Sequence, residues 1–150
     1  PNDRSADLST GGFVTDDEPS TEHWADVIQD RLIDFAVRVI KLVDVLPSTA
    51  AGRHIGGQIL RSGTSPAPNY GEGCAAESRD DFVHKLKIVL KELNETFVWL
   101  KAIHRAGLLP PDKLGGIIDE NQQLCRIIGK SISTAQRNRP TRGRRPPSEA

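Results

Sequence analysis

The sequence predicts an all-α protein, an antiparallel up-down four-helix bundle. Three observations favour this class. Apolar residues recur at alternating spacings of three and four along four long segments, which is the pattern of amphipathic helices. Short connections rich in glycine and proline separate these segments, and short connections favour antiparallel neighbours. No segment shows the alternating apolar and polar residues of a half-buried strand.

Charge divides the 150-residue chain into three parts, although its formal net charge is zero. Residues 1–22 hold six acids and one base, whereas residues 137–150 hold five arginines and one acid. Such blocks of one sign cannot bury enough apolar surface to offset the entropy of ordering. We therefore predict a disordered acidic arm over residues 1–22, a bundle over residues 23–137 and a disordered basic tail over residues 138–150, with protease removing both arms first.

The first helix is predicted from His23 to Leu46, because Pro47 stops it. Its core stripe is Trp24, Ile28, Leu32, Phe35, Val39, Leu42 and Leu46. A second apolar set lies beside this stripe on a helical wheel and comprises Ile33, Ala36, Val37, Ile40 and Val43. A surface helix usually needs an apolar face of only about 100° or a little more. The excess favours burial against another protomer; the alternative is that this helix is simply the central one of its own bundle.

The second helix is predicted to start near Gly52 and to kink or break within 62–69, where Pro66 and Pro68 each remove a backbone donor. Four polar residues of this region form a candidate motif: Arg61, Ser65, Asn69 and Glu72. We interpret it as structural, with Ser and Asn side chains bonding to backbone groups near the prolines and Arg61 pairing with Glu72. A ligand or nucleic-acid contact is the alternative.

The third and fourth helices have clear starts. Ser78 is the expected N-cap of the third helix, with Asp80 and Asp81 in its first turn, and Gly107 ends it. Its predicted core stripe is Phe82, Leu86, Val89, Leu90, Leu93, Phe97, Leu100 and Ile103. The fourth helix is predicted to begin near Pro111. Its apolar positions are Leu114, Ile117, Ile118, Leu124, Cys125, Ile128 and Ile132.

A row of cations on the third helix is the first candidate nucleic-acid site. Its members fall within about 40° of one line and span roughly 27 Å: Lys87, Lys91, Lys101 and Arg105. Such a row can follow a phosphate backbone, since each neutralised phosphate releases condensed counterions. The alternative is a solvated face with local ion pairs, such as one between Lys91 and Glu95.

The arginine-rich carboxyl terminus is the second candidate. Its cations are Arg137, Arg139, Arg142, Arg144 and Arg145. No aromatic residue accompanies them, so they predict salt-sensitive attraction to nucleic acid without base stacking. A tail that only increases solubility is the alternative.

The other flank of the third helix carries Ile88 and Trp99 among Asp81, Glu92 and Glu95. We predict a contact between protomers there, in addition to Ile33, Val37 and Ile40 of the first helix. In a head-to-tail ring each basic flank would meet a neighbour's acidic flank. This arrangement would compete with nucleic acid for the same lysines.

No catalytic, cofactor or metal pattern is recognisable in the sequence, so we expect no enzyme activity. A di-iron bundle site needs two Glu-x-x-His motifs, and only Asp81-x-x-His84 comes near. There is no P-loop and no G-x-S-x-G, and Cys74 and Cys125 lie far apart. No apolar run is long enough for a membrane span, and the amino terminus lacks the order of a signal peptide. We therefore expect a cytoplasmic protein with no membrane partner.

Residues 58–93, QILRSGTSPAPNYGEGCAAESRDDFVHKLKIVLKEL, resemble the bacterial four-helix-bundle proteins related to ribosomal-RNA intervening-sequence proteins. The matching positions are Gln58, Arg61, Ser62, Ser65, Asn69, Glu72, Gly73, Ser78, Phe82 and Leu86. The resemblance covers about residues 24–135 and departs from the family pattern at Pro66 and Pro68. It implies a homopentamer with a central channel.

That family includes the accessory proteins of diversity-generating retroelements, so the resemblance also implies association with RNA and with a reverse transcriptase. Those accessory proteins are strongly basic, whereas this bundle is nearly neutral. We expect a non-catalytic homo-oligomeric accessory protein that binds RNA or DNA. The alternative is a protein-interaction scaffold without nucleic-acid binding.

Overall fold

A computed structural model describes residues 20–138 of the chain. It contains five α-helices, joined in one place by a single 3-10 turn. Their bounds are α1 Thr21–Asp44, α2 Ala50–Thr64, α3 Pro66–Cys74, α4 Arg79–Arg105 and α5 Gly115–Arg137. Because α2 and α3 together take the place of one helix, the fold is the predicted four-helix bundle, and residues 20–138 contain no strand. The predicted arms lie outside the described residues, except that α1 begins two residues before the expected His23.

Side-chain caps begin α1 and α4, and the cap of α4 is at the predicted residue. The Oγ of Ser20 accepts a hydrogen bond from the backbone N–H of His23, and the Oγ of Ser78 accepts one from that of Asp81 at 3.1 Å. Gly107 has a φ of +65°, the left-handed conformation that favours glycine after a helix. The N-cap at Ser78 and the stop at Gly107 are therefore confirmed.

The predicted break in the second helix falls at Ser65, between α2 and α3. The side-chain amide of Asn69 donates to the Ser65 carbonyl at 3.0 Å and to its hydroxyl at 3.1 Å. This bonding confirms a structural role for Ser65 and Asn69. The prediction for the fourth helix was less accurate, since Pro111 lies in the 3-10 turn Pro111–Lys113 and α5 begins at Gly115.

The core lies at the centre of the bundle, with α1 and α4 on one diagonal and the α2–α3 unit and α5 on the other. Both α1 and α4 pack against the α2–α3 unit and against α5, so α1 and α4 face each other across the centre of the bundle. Fully buried side chains from several helices fill this space: Leu32, Phe35, Val39, Ile59, Leu86, Leu93, Leu100, Leu124 and Ile128. The outward sides of α1 and α4 consequently lie on opposite sides of the molecule.

Burial on α4 is rotated toward α2 relative to the predicted stripe. Val83 and Thr96 are buried, whereas Phe82, Leu90 and Phe97 are only half-buried. The reason is a close approach of small side chains: Thr96 Oγ1 lies 2.9 Å from Ser62 Oγ of α2. The sequence prediction favoured the larger apolar residues and missed this polar contact.

Glycine allows a similarly close approach between α1 and α2, which gives a test of the packing. A Cβ on Gly63 would lie 2.7 Å from Cγ2 of Val39, whereas a Cβ on Gly57 would meet nothing within 4 Å. We expect Gly63→Ala to lower the free energy of unfolding by about 1–3 kcal/mol through overpacking. The matched control Gly57→Ala should raise it by about 0.5–1 kcal/mol, because alanine is the better helix former. Urea unfolding at one protein concentration measures both, and equal effects would contradict the packing.

Candidate nucleic-acid interface

The four cations predicted on the third helix lie on the outward side of α4. Lys87, Lys91 and Arg105 are exposed, and Lys101 is half-buried. The Nζ of Lys101 lies 4.5 Å from the centre of the Phe97 ring, a cation–π contact that holds it against the helix. The structure therefore places all four charges along one edge of the bundle.

Within residues 20–138, no cation of this row takes part in a short ion pair. The ion pairs within residues 20–138 use other cations and are Arg31–Glu120, Arg61–Glu92, Arg61–Glu95 and Lys85–Glu72. Glu95 pairs with Arg61 rather than with Lys91. The hydrogen bond from Arg61 is the main cause that holds the pKa of Glu95 below its usual value, and the nearby charge of Lys91 adds to it. Within the described residues the row therefore forms no short ion pair, and Lys91 alone is known to feel a nearby acid.

The acidic flank of α4 has its partners inside the same chain. Arg61 of α2 bonds to both Glu92 and Glu95, and Glu92 is buried. The Trp99 ring packs edge-on against His54 of α2, with 6.3 Å between ring centres. Ile88 lies half-buried on this flank. Glu92 and Glu95 therefore already have a basic partner in the same chain, whereas Asp81 bonds to the capping Ser78, which weakens the argument for a head-to-tail contact there.

The predicted pair between Arg61 and Glu72 is wrong. Arg61 lies near the end of α2 and reaches across to α4, whereas Glu72 lies on α3, beyond the break at Ser65. The carboxylate of Glu72 instead accepts a hydrogen bond from Lys85 of α4 at 2.5 Å. The break redirects the polar residues on its two sides toward different turns of α4.

The seam between α4 and α5 adds a further cation beside the row. Cys125 Sγ of α5 lies 3.7 Å from the Oδ1 of Asn94, which stands in the middle of the row. Burial raises the pKa of the Cys125 thiol, and the neighbouring Arg126 guanidinium opposes that rise. Arg126 is the next residue of α5 and is exposed. We call the combined surface the basic face; it consists of Lys87, Lys91, Asn94, Val98, Lys101, Arg105 and Arg126.

A cleft of about 330 Å³ continues the basic face toward the carboxyl terminus. It is lined by Arg79, Asp80, Val83, His84, Lys87, Ala135 and Gln136. The Arg79 guanidinium donates to the carbonyl of Asn138, the last described residue. Arg137 is exposed at the end of α5. The basic tail thus starts where the row ends, while Arg139, Arg142, Arg144 and Arg145 lie outside the described residues.

The second apolar set of the first helix lies on the opposite side of the bundle. Ile33, Val37 and Ile40 are 45%, 41% and 44% exposed. These values exclude the alternative in which a central position in its own bundle buries them. Trp24, which was predicted in the core stripe, is also exposed, at 55%. We call Ile33, Val37 and Ile40 the apolar face; since it is opposite the basic face, a partner on one leaves the other accessible.

The described residues contain neither a metal-binding cluster nor a membrane-spanning helix. Among residues 20–138, no three His, Cys, Asp or Glu side chains are grouped so that they could hold a metal ion. None of the helices described is both long enough and apolar enough to cross a membrane.

Comparison with known proteins identifies the family. The family model described as "23S rRNA-intervening sequence protein" matches residues 26–130. The chain belongs to this family. The match runs from α1 into α5, so both the apolar face and the basic face lie within the family region, and the tail lies beyond it.

One solved relative supports the assignment. It is a protein of unknown function from the S23 ribosomal protein family of Bacteroides thetaiotaomicron, with 34% sequence identity and a TM-score of 0.68. The alignment covers 73% of this chain and 97% of that chain. Among curated proteins, none matches this intervening-sequence family member.

Sequence analysis missed three contributors to the basic region: Arg126 on α5, and Arg79 and His84 at the cleft. Arg79 and His84 lie on α4 before the first cation of the row, and Arg126 lies on a different helix, so the spacing that defined the row does not select them. Only the packing of α5 against α4 brings Cys125, the residue before Arg126, into contact with Asn94.

Proposed function

We propose that this protein is a non-catalytic, homo-oligomeric accessory protein that binds nucleic acid through its basic face. The supporting observation is the α4 row, whose four cations form no short ion pair within residues 20–138. Cations left unpaired on a rigid helix are available to phosphates at no cost in broken ion pairs. Each phosphate that they neutralise releases counterions and strengthens binding.

RNA is the favoured nucleic acid. The family description names an intervening sequence of 23S rRNA, and the row has the spacing and length to follow a phosphate backbone. Partnership with a reverse transcriptase is supported only by the resemblance to retroelement accessory proteins. Under this proposal, the protein binds RNA in the cytoplasm.

The nearly neutral bundle does not argue against this proposal, because its acids are not spread evenly over the surface. The first half of α1 carries the exposed acids Asp26, Asp30 and Asp34, whereas the basic face lies across the bundle. Attraction of a polyanion depends on the local potential rather than on the net charge. The acidic side would also orient the protein with its basic face toward RNA.

Self-association is proposed through the apolar face on α1, and the family resemblance favours a pentamer. Three adjacent exposed aliphatic residues form a continuous apolar patch, which marks an interaction site. Each protomer would then present its own basic face, and several faces on one assembly would bind a long RNA with increased avidity.

A protein-interaction scaffold is the second candidate. The observation that favours it is the same apolar face, since an exposed aliphatic patch fits a different protein as well as a second copy. In that case the basic face would contribute solubility rather than binding.

A salt titration tests the proposed function. Full-length protein and a variant lacking residues 138–150 are titrated with RNA by filter binding from about 50 mM salt upward. We expect log affinity to fall linearly with log salt in both, with a shallower slope for the variant because it has lost cations. Light scattering should show the same assembly in both. Absence of RNA and DNA affinity at about 50 mM salt would contradict nucleic-acid binding and favour the scaffold.

A further inference from the structure

The aromatic side chains of the described chain are almost all unavailable to a ligand. They are Trp24, Phe35, Tyr70, Phe82, Phe97 and Trp99. Phe35 and Tyr70 are buried, and Phe82 and Trp99 pack partly against the core. Phe97 is covered by the Lys101 ammonium. Within residues 20–138 only Trp24 is more than half exposed, and it lies on α1, away from the basic face.

This inventory bears on which form of RNA the basic face suits. Proteins that hold single strands combine a basic groove with aromatic side chains on which unstacked bases stack. The basic face has the cations without the rings. Bases in a duplex are already stacked on one another, and proteins recognise double-stranded RNA through its shape, its phosphates and its 2′-hydroxyl groups.

The geometry of the basic face also suits a stiff partner. Its row lies on one unbroken helix, Arg79–Arg105, so the cations follow a straight line. On α5, the exposed Arg126 follows Cys125, whose sulfur contacts Asn94 across the seam. The amide of Asn94 can donate a hydrogen bond to a hydroxyl group or accept one from it. Cations along a straight edge, with an amide at its centre, match phosphates and 2′-hydroxyls.

We propose that the basic face binds the backbone of double-stranded RNA and does not read or stack bases. This inference rests on the proposed nucleic-acid function and specifies the form of RNA. The exposed centre of the row is occupied by Val98, which is 56% exposed and too small to serve as a stacking platform.

Three RNA probes of equal strand length test the inference with the full-length protein: a duplex, an unstructured single strand and an abasic single strand. We expect the duplex to bind most tightly, and we expect the ordinary and abasic strands to bind equally, because bases contribute nothing. A single strand that binds more tightly than the duplex, and more tightly than the abasic strand, would overturn the inference while leaving the proposed function intact. Failure of all three probes to bind would overturn both.

A gain-of-stacking variant adds a positive test at the same surface. Val98→Trp places a ring in the middle of the row, where the side chain is largely exposed and the core is not disturbed. It should raise affinity for the ordinary single strand about fivefold or more and leave the abasic strand unchanged. The matched control is Val45→Trp, since Val45 is 60% exposed at the end of α1. An unchanged single-strand affinity in Val98→Trp would overturn the assignment of RNA to this face.

Discussion

Replacement of Lys87, Lys91, Lys101 and Arg105 by glutamine is expected to lower RNA affinity about a hundredfold or more at about 100 mM salt. The reason is the loss of four phosphate contacts made by cations that form no short ion pair within residues 20–138. The slope of log affinity against log salt should fall by about 0.7 for each lost contact to a single strand and about 0.9 for each lost contact to a duplex. Filter binding across a salt series measures both quantities.

The control for this variant removes the same amount of charge elsewhere. Arg38, Lys41, Arg53 and Lys113 are exposed, and none of them belongs to the basic face. Their replacement by glutamine should change RNA affinity only slightly. Equal losses in the two variants would show that net charge alone attracts RNA. Dissociation of the assembly in the α4 variant, seen by light scattering, would instead assign the row to contacts between protomers.

Val37→Glu is expected to dissociate the assembly into monomers. The substitution places a carboxylate at the centre of the apolar face, where a second copy would remove it from water. An i,i+4 pair with the exposed Lys41 would offset only about 0.2–0.5 kcal/mol of that cost. Light scattering should report a mass near 16.4 kDa for the variant. The matched control is Val98→Glu on the opposite side of the bundle, which should leave the assembly intact.

The assembly state of the wild-type protein is the stricter test of self-association through the apolar face. If it is monomeric at micromolar concentration, the apolar face does not hold copies of this chain together, and a different protein becomes its expected partner. If Val37→Glu dissociates the assembly, we expect the RNA affinity of the variant to fall only through lost multivalency. Each monomer of the variant keeps its basic face.

Local features of the fold were predictable because short stretches of sequence determine them. The Ser78 cap depends on residues three positions apart, and the break at Ser65 depends on the following prolines. The row of cations was predictable for the same reason, since helical spacing alone aligns Lys87 with Lys91. These features require no knowledge of which helix packs against which.

Features that depend on packing between distant segments were not predictable. Arg61 pairs with Glu92 and Glu95 rather than with Glu72, because the end of α2 lies against α4. No spacing in the sequence indicates that contact between helices. The contact of Thr96 with Ser62 displaced larger residues from the core for a similar reason. The α4 row of the candidate site was therefore predictable from the sequence. The place of Arg126 on α5 and the lack of short ion pairs to the row within residues 20–138 are seen only in the structure.

The two ends of the described chain meet at one end of the bundle. Thr21 and Glu22 of α1, Arg79 of α4 and Ala135 of α5 line a common cleft. The first and last described helices therefore begin and end close together. The same arrangement of helices in space is compatible with a different order of helices along the chain. Residues 20 and 138, where further segments would be attached, therefore lie at the same pole of the bundle, and the turns that join α1 to α2 and α4 to α5 do not line this cleft.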